Sequence, residues 1–90
     1  MEPIIHDEKS HKFFCMVEGF ECVAQYSYAD GALNFFHTYV PPALRGQGIA
    51  AKLLEEAVKF VKSKNLKVIP SCSYAEKFFN EKYPELIAKR

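Results

Sequence analysis

The chain is short of net charge, of cysteine and of long apolar runs, and each shortage removes a class of protein. Twelve Lys and Arg stand against eleven Asp and Glu, a net charge of +1. With the two signs interspersed there is no basic field for general nucleic-acid binding, so no nucleic-acid partner is expected. Three cysteines, Cys15, Cys22 and Cys72, cannot build a full disulfide framework. They also lack the paired spacing of a metal site or a CxxC redox motif, so no metal is expected. The odd count suits a reducing, intracellular and most simply cytoplasmic setting. Nowhere do about eighteen apolar residues run together, and residues 1–8 have neither a basic start nor an apolar stretch; neither a membrane span nor a signal peptide is expected. There is no internal repeat, low-complexity segment or linker.

Ninety residues at 49% hydrophobic content support one core, so residues 1–90 are read as a single domain. Folding at this size buries only about 60–65% of the unfolded surface. Packing of the eight Phe and five Tyr therefore supplies much of the stability. A monomer or weak homodimer is expected, since association would relieve the small core.

Residues 10–29 hold two stretches rich in Phe, Val, Cys and Tyr, divided at Glu18-Gly19. A third runs through residues 33–40 after Asp30-Gly31. This reads as a three-stranded antiparallel meander, with residues 1–9 ahead of it flexible. Strict alternation sends Leu33, Phe35, His37 and Tyr39 to one face and Phe36, Thr38 and Val40 to the other. Both faces are then largely apolar, as in a sheet covered on both sides. Cys15 and Cys22 are read as packing residues within the strands.

After Pro41-Pro42 the period changes. Ile49, Leu53, Leu54, Ala57, Val58 and Val61 recur at helical spacing opposite Lys52, Glu55, Glu56, Lys59 and Lys62, which predicts an amphipathic helix over residues 46–64, stopped at Asn65. Residues 66–69 then form a short strand ended by Pro70, and a helix joining two strands implies a parallel pairing. Ser71 or Ser73 can cap a second helix, the latter with Glu76 three residues on, whose apolar side is Tyr74, Phe78 and Phe79; Tyr83-Pro84 ends it. The fold class is therefore mixed α/β: a meander, a crossover helix, a fourth strand in parallel, and a C-terminal helix.

The segment from Phe35 to Val61 carries the chemistry. A glycine-bearing turn feeding straight into a helix gathers unpaired backbone N–H groups, which favour phosphate. Gly46 and Gly48 let backbone approach an anion closely, the helix dipole adds positive potential, and Arg45 adds forked donors. As a plain helix start, two glycines in the first turn would each cost about 1 kcal/mol to no purpose. No Gly-Lys-Ser/Thr follows and there is no Gly-x-Gly-x-x-Gly in a first βα turn, which disfavours Walker-type and dinucleotide sites.

Arg45-x-x-Gly48-x-Ala50 resembles the pyrophosphate loop Q/R-x-x-G-x-G/A of the GNAT acetyltransferase superfamily. Together with His37-Thr38-Tyr39-Val40-Pro41-Pro42, Pro70-Ser71-Cys72 and Tyr83-Pro84, it is similar to the small single-domain, YjdJ-like N-acetyltransferase proteins, over residues 10–88. The resemblance implies a minimal GNAT fold and acetyl-CoA, or coenzyme A, as ligand. It also implies a pantetheine arm along the strand before the loop. Thr38, Tyr39, Val40, Arg45, Gly46, Gln47, Gly48, Ile49, Ala50 and Tyr74 are then the candidate binding residues.

Cys72 falls just past the carboxyl end of the short strand, at the start of the next helix, where ligands gather in open α/β sheets. The resemblance further implies a cysteine beside the acetyl group, which makes Cys72 a candidate nucleophile; its plainer alternative is a small buried hydrophobe. His37 is a candidate general base under the same resemblance, against a histidine bonded within the sheet. Tyr39 and Tyr74 are candidates to line the site or donate a proton, or simply to pack. Longer members of the superfamily have an N-terminal strand and two helices around the acceptor, whereas a hairpin follows almost at once here, so an open acceptor side is expected. The leading expectation is an acetyltransferase acting on an unidentified amine or protein acceptor, directly or through Cys72. A non-catalytic acyl-CoA-binding or sensing module is the alternative.

Overall fold

The computed structural model describes residues 2–89; Met1 and Arg90 lie outside it. Five strands, β1 (Ile5–Asp7), β2 (Lys12–Val17), β3 (Phe20–Ala29), β4 (Ala32–Tyr39) and β5 (Lys67–Pro70), form one sheet in sequential order. β1 to β4 are antiparallel and β5 joins β4 in parallel, after helix α1 (Ile49–Ser63); helix α2 (Ser73–Lys82) follows β5. The reversals fall at the predicted glycine turns. Glu18 and Gly19 take φ of +52° and +80°, the double left-handed geometry of a type I′ hairpin.

The meander thus has one strand more than expected, and within the segment expected to be flexible residues 5–7 are held in the sheet. Ile5, His6 and Asp7 pair with Phe14, Phe13 and Lys12. The His6 ring stacks on Phe13 at 3.9 Å, meets Phe60 edge-on at 4.4 Å and shares a hydrogen bond with the Tyr26 hydroxyl. Asp7 closes the following turn by accepting from the amides of Lys9 and Ser10 at 3.1 and 3.2 Å. Three residues are too short for the alternation test that finds strands, which is why the pattern was silent here.

Both helices lie on one face of the sheet. Phe60 of α1 packs on Phe13 and Phe79 of α2 on Phe35, and those two strand residues are themselves neighbours at 6.4 Å. Cys15, Cys22, Ala24, Leu33 and Val68 complete that buried side with Leu53, Leu54, Ala57 and Val61. Cys15 and Cys22 stand directly opposite each other across β2 and β3, fully buried as free thiols, and burial pushes both thiols up. The other face, where Ile5, Phe14, Val23 and Tyr39 lie in register across four strands, carries neither α1 nor α2 among the described residues. The expectation of a sheet covered on both sides is corrected accordingly.

The alternation in β4 also breaks. Tyr26 pairs with Phe35 but Gln25 pairs with His37, so Phe36 is an extra residue, a β-bulge. Because register partners share a face, Thr38 opposite Ala24 joins Phe35 on the helix side. His37 and Tyr39, opposite Gln25 and Val23, turn to the open side. Predicted boundaries move for local reasons. Gly46 and Gly48 have φ of +85° and +76°, which a right-handed helix excludes, so α1 starts at Ile49 rather than at residue 46. At its other end Asn65 takes φ +55°, with Leu66 N–H bonded to Val61 O and Asn65 N–H to Lys62 O. This Schellman closure uses up Leu66 and starts β5 one residue late.

Candidate functional site

β4 and β5 pair only from Ala32–Lys67 to Phe35–Pro70. The amides of Ser71 and Cys72 then both bond to the Phe35 carbonyl, at 3.0 and 3.1 Å, and the chain swings into α2. From Phe36 to Tyr39 β4 keeps only β3 as a partner, so its other edge faces a gap instead of a strand. The gap widens into a cleft of about 620 Å³, bounded by the end of β4, the loop after it, the first turn of α1 and Cys72, Ser73 and Tyr74. Such a volume suits a small-molecule ligand.

The loop is held from inside. A 3-10 turn at Pro42–Leu44 buries Leu44 in the core, and the Arg45 Nε donates to the Val40 carbonyl at 2.9 Å. Gly46 and Gly48 follow in left-handed conformations, and a Cβ on either would meet nothing within 4 Å. α1 begins with no side-chain cap and no acidic residue in its first turn. Its leading amides have no side-chain cap and face the cleft that Arg45 also lines, and that combination favours an anion. Because the two glycines precede the helix, they bring no helix-interior penalty; their role is to make the turn.

α2 is built the opposite way. Its N-cap is Cys72, whose Sγ accepts from the Ala75 amide at 3.3 Å, so neither Ser71 nor Ser73 caps it, and Glu76 lies in the first turn without capping. Thr38 Oγ1 lies 3.7 Å from the same sulfur, close enough for a hydrogen bond. Cys72 is half-buried against the core, neither sealed in nor fully exposed. Tyr74 is not on the apolar side of α2, which is Ala75, Phe78 and Phe79; it stands 40% exposed at the cleft, and partial burial raises its phenol above the ordinary range.

All the residues singled out from the sequence line this cleft except Gln47, which turns into a neighbouring groove with Glu18 and Lys52. His37 borders the cleft, but its ring lies parallel to Tyr39 at 6.4 Å on the open sheet face. Among the described residues no hydrogen bond joins it to Cys72. Leu44, which the sequence pattern does not single out, and Ser73, read only as a possible cap of the second helix, also line the cleft. Leu44 was the one large apolar residue inside a polar loop, which is a signal of anchoring; Ser73 carried none beyond its place beside Cys72. No cluster of three His, Cys, Asp or Glu side chains is arranged to hold a metal among the described residues, and no helix there is long and apolar enough to cross a membrane.

Comparison with known proteins adds a family. The model of the family described as GCN5-related N-acetyl-transferase matches residues 12–89. Protein NATD1 of Xenopus tropicalis is 35% identical over 79 residues, covering 84% of this chain and 72% of that protein. NATD1 of Homo sapiens is 34% identical over the same length, covering 84% and 70%. A GCN5-like protein from Staphylococcus aureus, solved by NMR, superposes with a TM-score of 0.77 at 29% identity, covering 98% of this chain and 89% of the other.

Proposed function

Because the chain belongs to the GCN5-related N-acetyltransferase family, we propose that it binds acetyl-CoA in the cleft between β4 and α2 and passes the acetyl group to an amine through a thioester on Cys72. The observation that carries this reading is the pairing of two unlike helix starts on one cleft: α1 uncapped beside Arg45, α2 capped by a sulfur. The first needs an anion, and the second holds a nucleophile.

In this reading the amides at the head of α1, with Arg45, bind the diphosphate, and Gly46 and Gly48 keep side chains out of its approach. The unpaired edge of β4 along Thr38, Tyr39 and Val40 lies beside the pantetheine amides, with Ile49, Ala50 and Tyr74 walling the arm. The Cys72 sulfur attacks the thioester carbonyl carbon, a new carbon–sulfur bond forms, the bond to the coenzyme sulfur breaks, and the thiol proton passes to the leaving thiolate. One thioester replaces another, so the step is close to neutral in energy and reversible. The acceptor amine enters the cleft from the open sheet side, where His37 on the cleft border takes its proton; the amine nitrogen bonds to the acetyl carbon, the bond to the Cys72 sulfur breaks, and the sulfur leaves as a thiolate that regains the proton from His37. The protein acts as a monomer or weak homodimer in a reducing, cytoplasmic setting that keeps Cys72 a thiol.

The open sheet face favours a second reading, a non-catalytic acyl-CoA-binding module, because nothing among the described residues encloses an acceptor there. Two measurements separate the readings. Intact-protein mass spectrometry after acetyl-CoA treatment should show one acetyl adduct, labile to hydroxylamine, that Cys72→Ala lacks; an equally labile adduct surviving in that variant refutes the nucleophile. Coenzyme A release that rises with added amine supports the enzyme, whereas tight binding without turnover across a broad amine panel supports the module.

A further inference from the structure

Strict alternation along β4 would turn His37 toward Cys72 and leave Thr38 on the far face. The bulge at Phe36 reverses this: Thr38 follows Ala24 onto the helix side and reaches the sulfur, while His37 goes to the open side with Tyr39. We propose that Thr38 is the positioning residue of Cys72, holding the thiol between its own hydroxyl and the Ala75 amide and staying bonded to the sulfur before and after its proton leaves. This rests on the acyl-transfer reading of Cys72.

The chemistry follows from what each partner can do. The Ala75 amide at 3.3 Å is a fixed donor and can only stabilise a lone pair. A threonine hydroxyl both accepts and donates, and its hydrogen rotates freely. With the thiol intact, Sγ–H donates to Thr38 Oγ1. When the proton has gone and the sulfur attacks, the hydroxyl turns and donates to the sulfur, 3.7 Å away. The sulfur is thus held at one point on the cleft wall through both protonation states. The β-branched side chain restricts the hydroxyl to few rotamers. His37 is freed by the same bulge to serve the incoming amine rather than the thiol, so Thr38 and His37 border the one cleft from opposite faces of β4.

The test compares Thr38→Val, which keeps the shape and removes the hydroxyl, with Thr38→Ser, which restores it. Cys15 and Cys22 are fully buried, so iodoacetamide alkylation of the native protein can be followed at the Cys72 peptide by mass spectrometry. Alkylation and self-acetylation of Cys72 should each slow roughly three- to tenfold in Thr38→Val, the effect of losing one net hydrogen bond. They should recover to within about twofold of the native rate in Thr38→Ser, while the dissociation constant for coenzyme A does not follow the rates. Thr38→Val reacting as fast as the native chain overturns the proposal, as does Thr38→Ser remaining as slow as Thr38→Val. If the native Cys72 is alkylated but never acetylated, the acyl-transfer reading falls instead, and the alkylation contrast between the two variants still decides what Thr38 does.

Discussion

Gly48→Ala separates the cost of a turn from the cost of a filled ligand site. Gly48 sits at φ +76° as the N-cap of α1, a region that costs an L-residue about 1–2 kcal/mol. Alanine recovers about 0.4–1 kcal/mol of that by restricting the unfolded chain. The new Cβ meets nothing within 4 Å, so no steric penalty adds, and the net loss is about 1 kcal/mol. For a domain of this length that lowers Tm by roughly 4–8 °C. Gly31→Ala is the matched control: it has φ +67°, is equally free of Cβ contacts, and belongs to the β3–β4 hairpin away from the cleft. Thermal melts of the two variants should coincide within a few degrees. Titration calorimetry with coenzyme A should distinguish them, with affinity falling about tenfold or more in Gly48→Ala, the loss of a charge-assisted amide contact, and unchanged in Gly31→Ala. Equal affinity in both would refute the diphosphate assignment, and wholesale unfolding of Gly48→Ala would refute the claim that the space is empty.

Three further outcomes follow from particular contacts. Cys72→Ala removes the cap of α2 and should cost about 0.5–1 kcal/mol in denaturant unfolding, whereas Cys72→Ser, with a better oxygen acceptor, should be at least as stable as the native chain; equal loss in both would mean the sulfur does not cap. Asn65→Gly should raise stability by a few tenths of a kcal/mol to about 1 kcal/mol, because residue 65 closes α1 in a left-handed conformation that glycine adopts freely; a lower Tm would contradict the closure. Burial lowers the His6 pKa from its ordinary 6.5, against the opposing pull of Glu8 and Asp7 and with a smaller push from His11. The native state therefore prefers neutral His6, the unfolded chain binds more protons just below pH 6.5, and stability should fall as pH drops through 6.5 until the depressed native pKa is passed. Denaturant midpoints for His6→Gln should lose that part of the pH dependence; an unchanged profile would place its origin elsewhere.

How legible each part was depended on how much chain enforces it. The long α1 was plain because fifteen residues repeat one apolar stripe, and the meander was plain because its turns need glycine at positive φ. The loop was readable for a related reason: two glycines before a helix whose first turn has no side-chain cap and no acidic residue leave its leading amides without side-chain partners among the described residues. β1 escaped because its hold is tertiary, through one histidine wedged among Phe13, Tyr26 and Phe60. The cap of α2 was misread since sulfur is a poor acceptor by propensity, and two serines beside Cys72 are better ones.

Which side chains of β4 face the cysteine turns on a single residue of register. Alternation is an inference about faces that fails for every position beyond an inserted residue, and the insertion at Phe36 lies between the core end of β4 and the end that lines the cleft. Up to Phe35 the strand is fixed by burial, with Leu33 and Phe35 wholly enclosed. Past it the parallel partner has left, and Phe36 and Tyr39 stand about half exposed, at 50% and 43%, so burial no longer dictates which side chain faces which way. That is where the sequence can change the site at little cost in stability. Exchanging which of His37 and Thr38 meets Cys72 requires only that the bulge be present or absent. The fold of β4 and the chemistry of its last four residues are thus set by separate constraints, and the bulge is the joint between them.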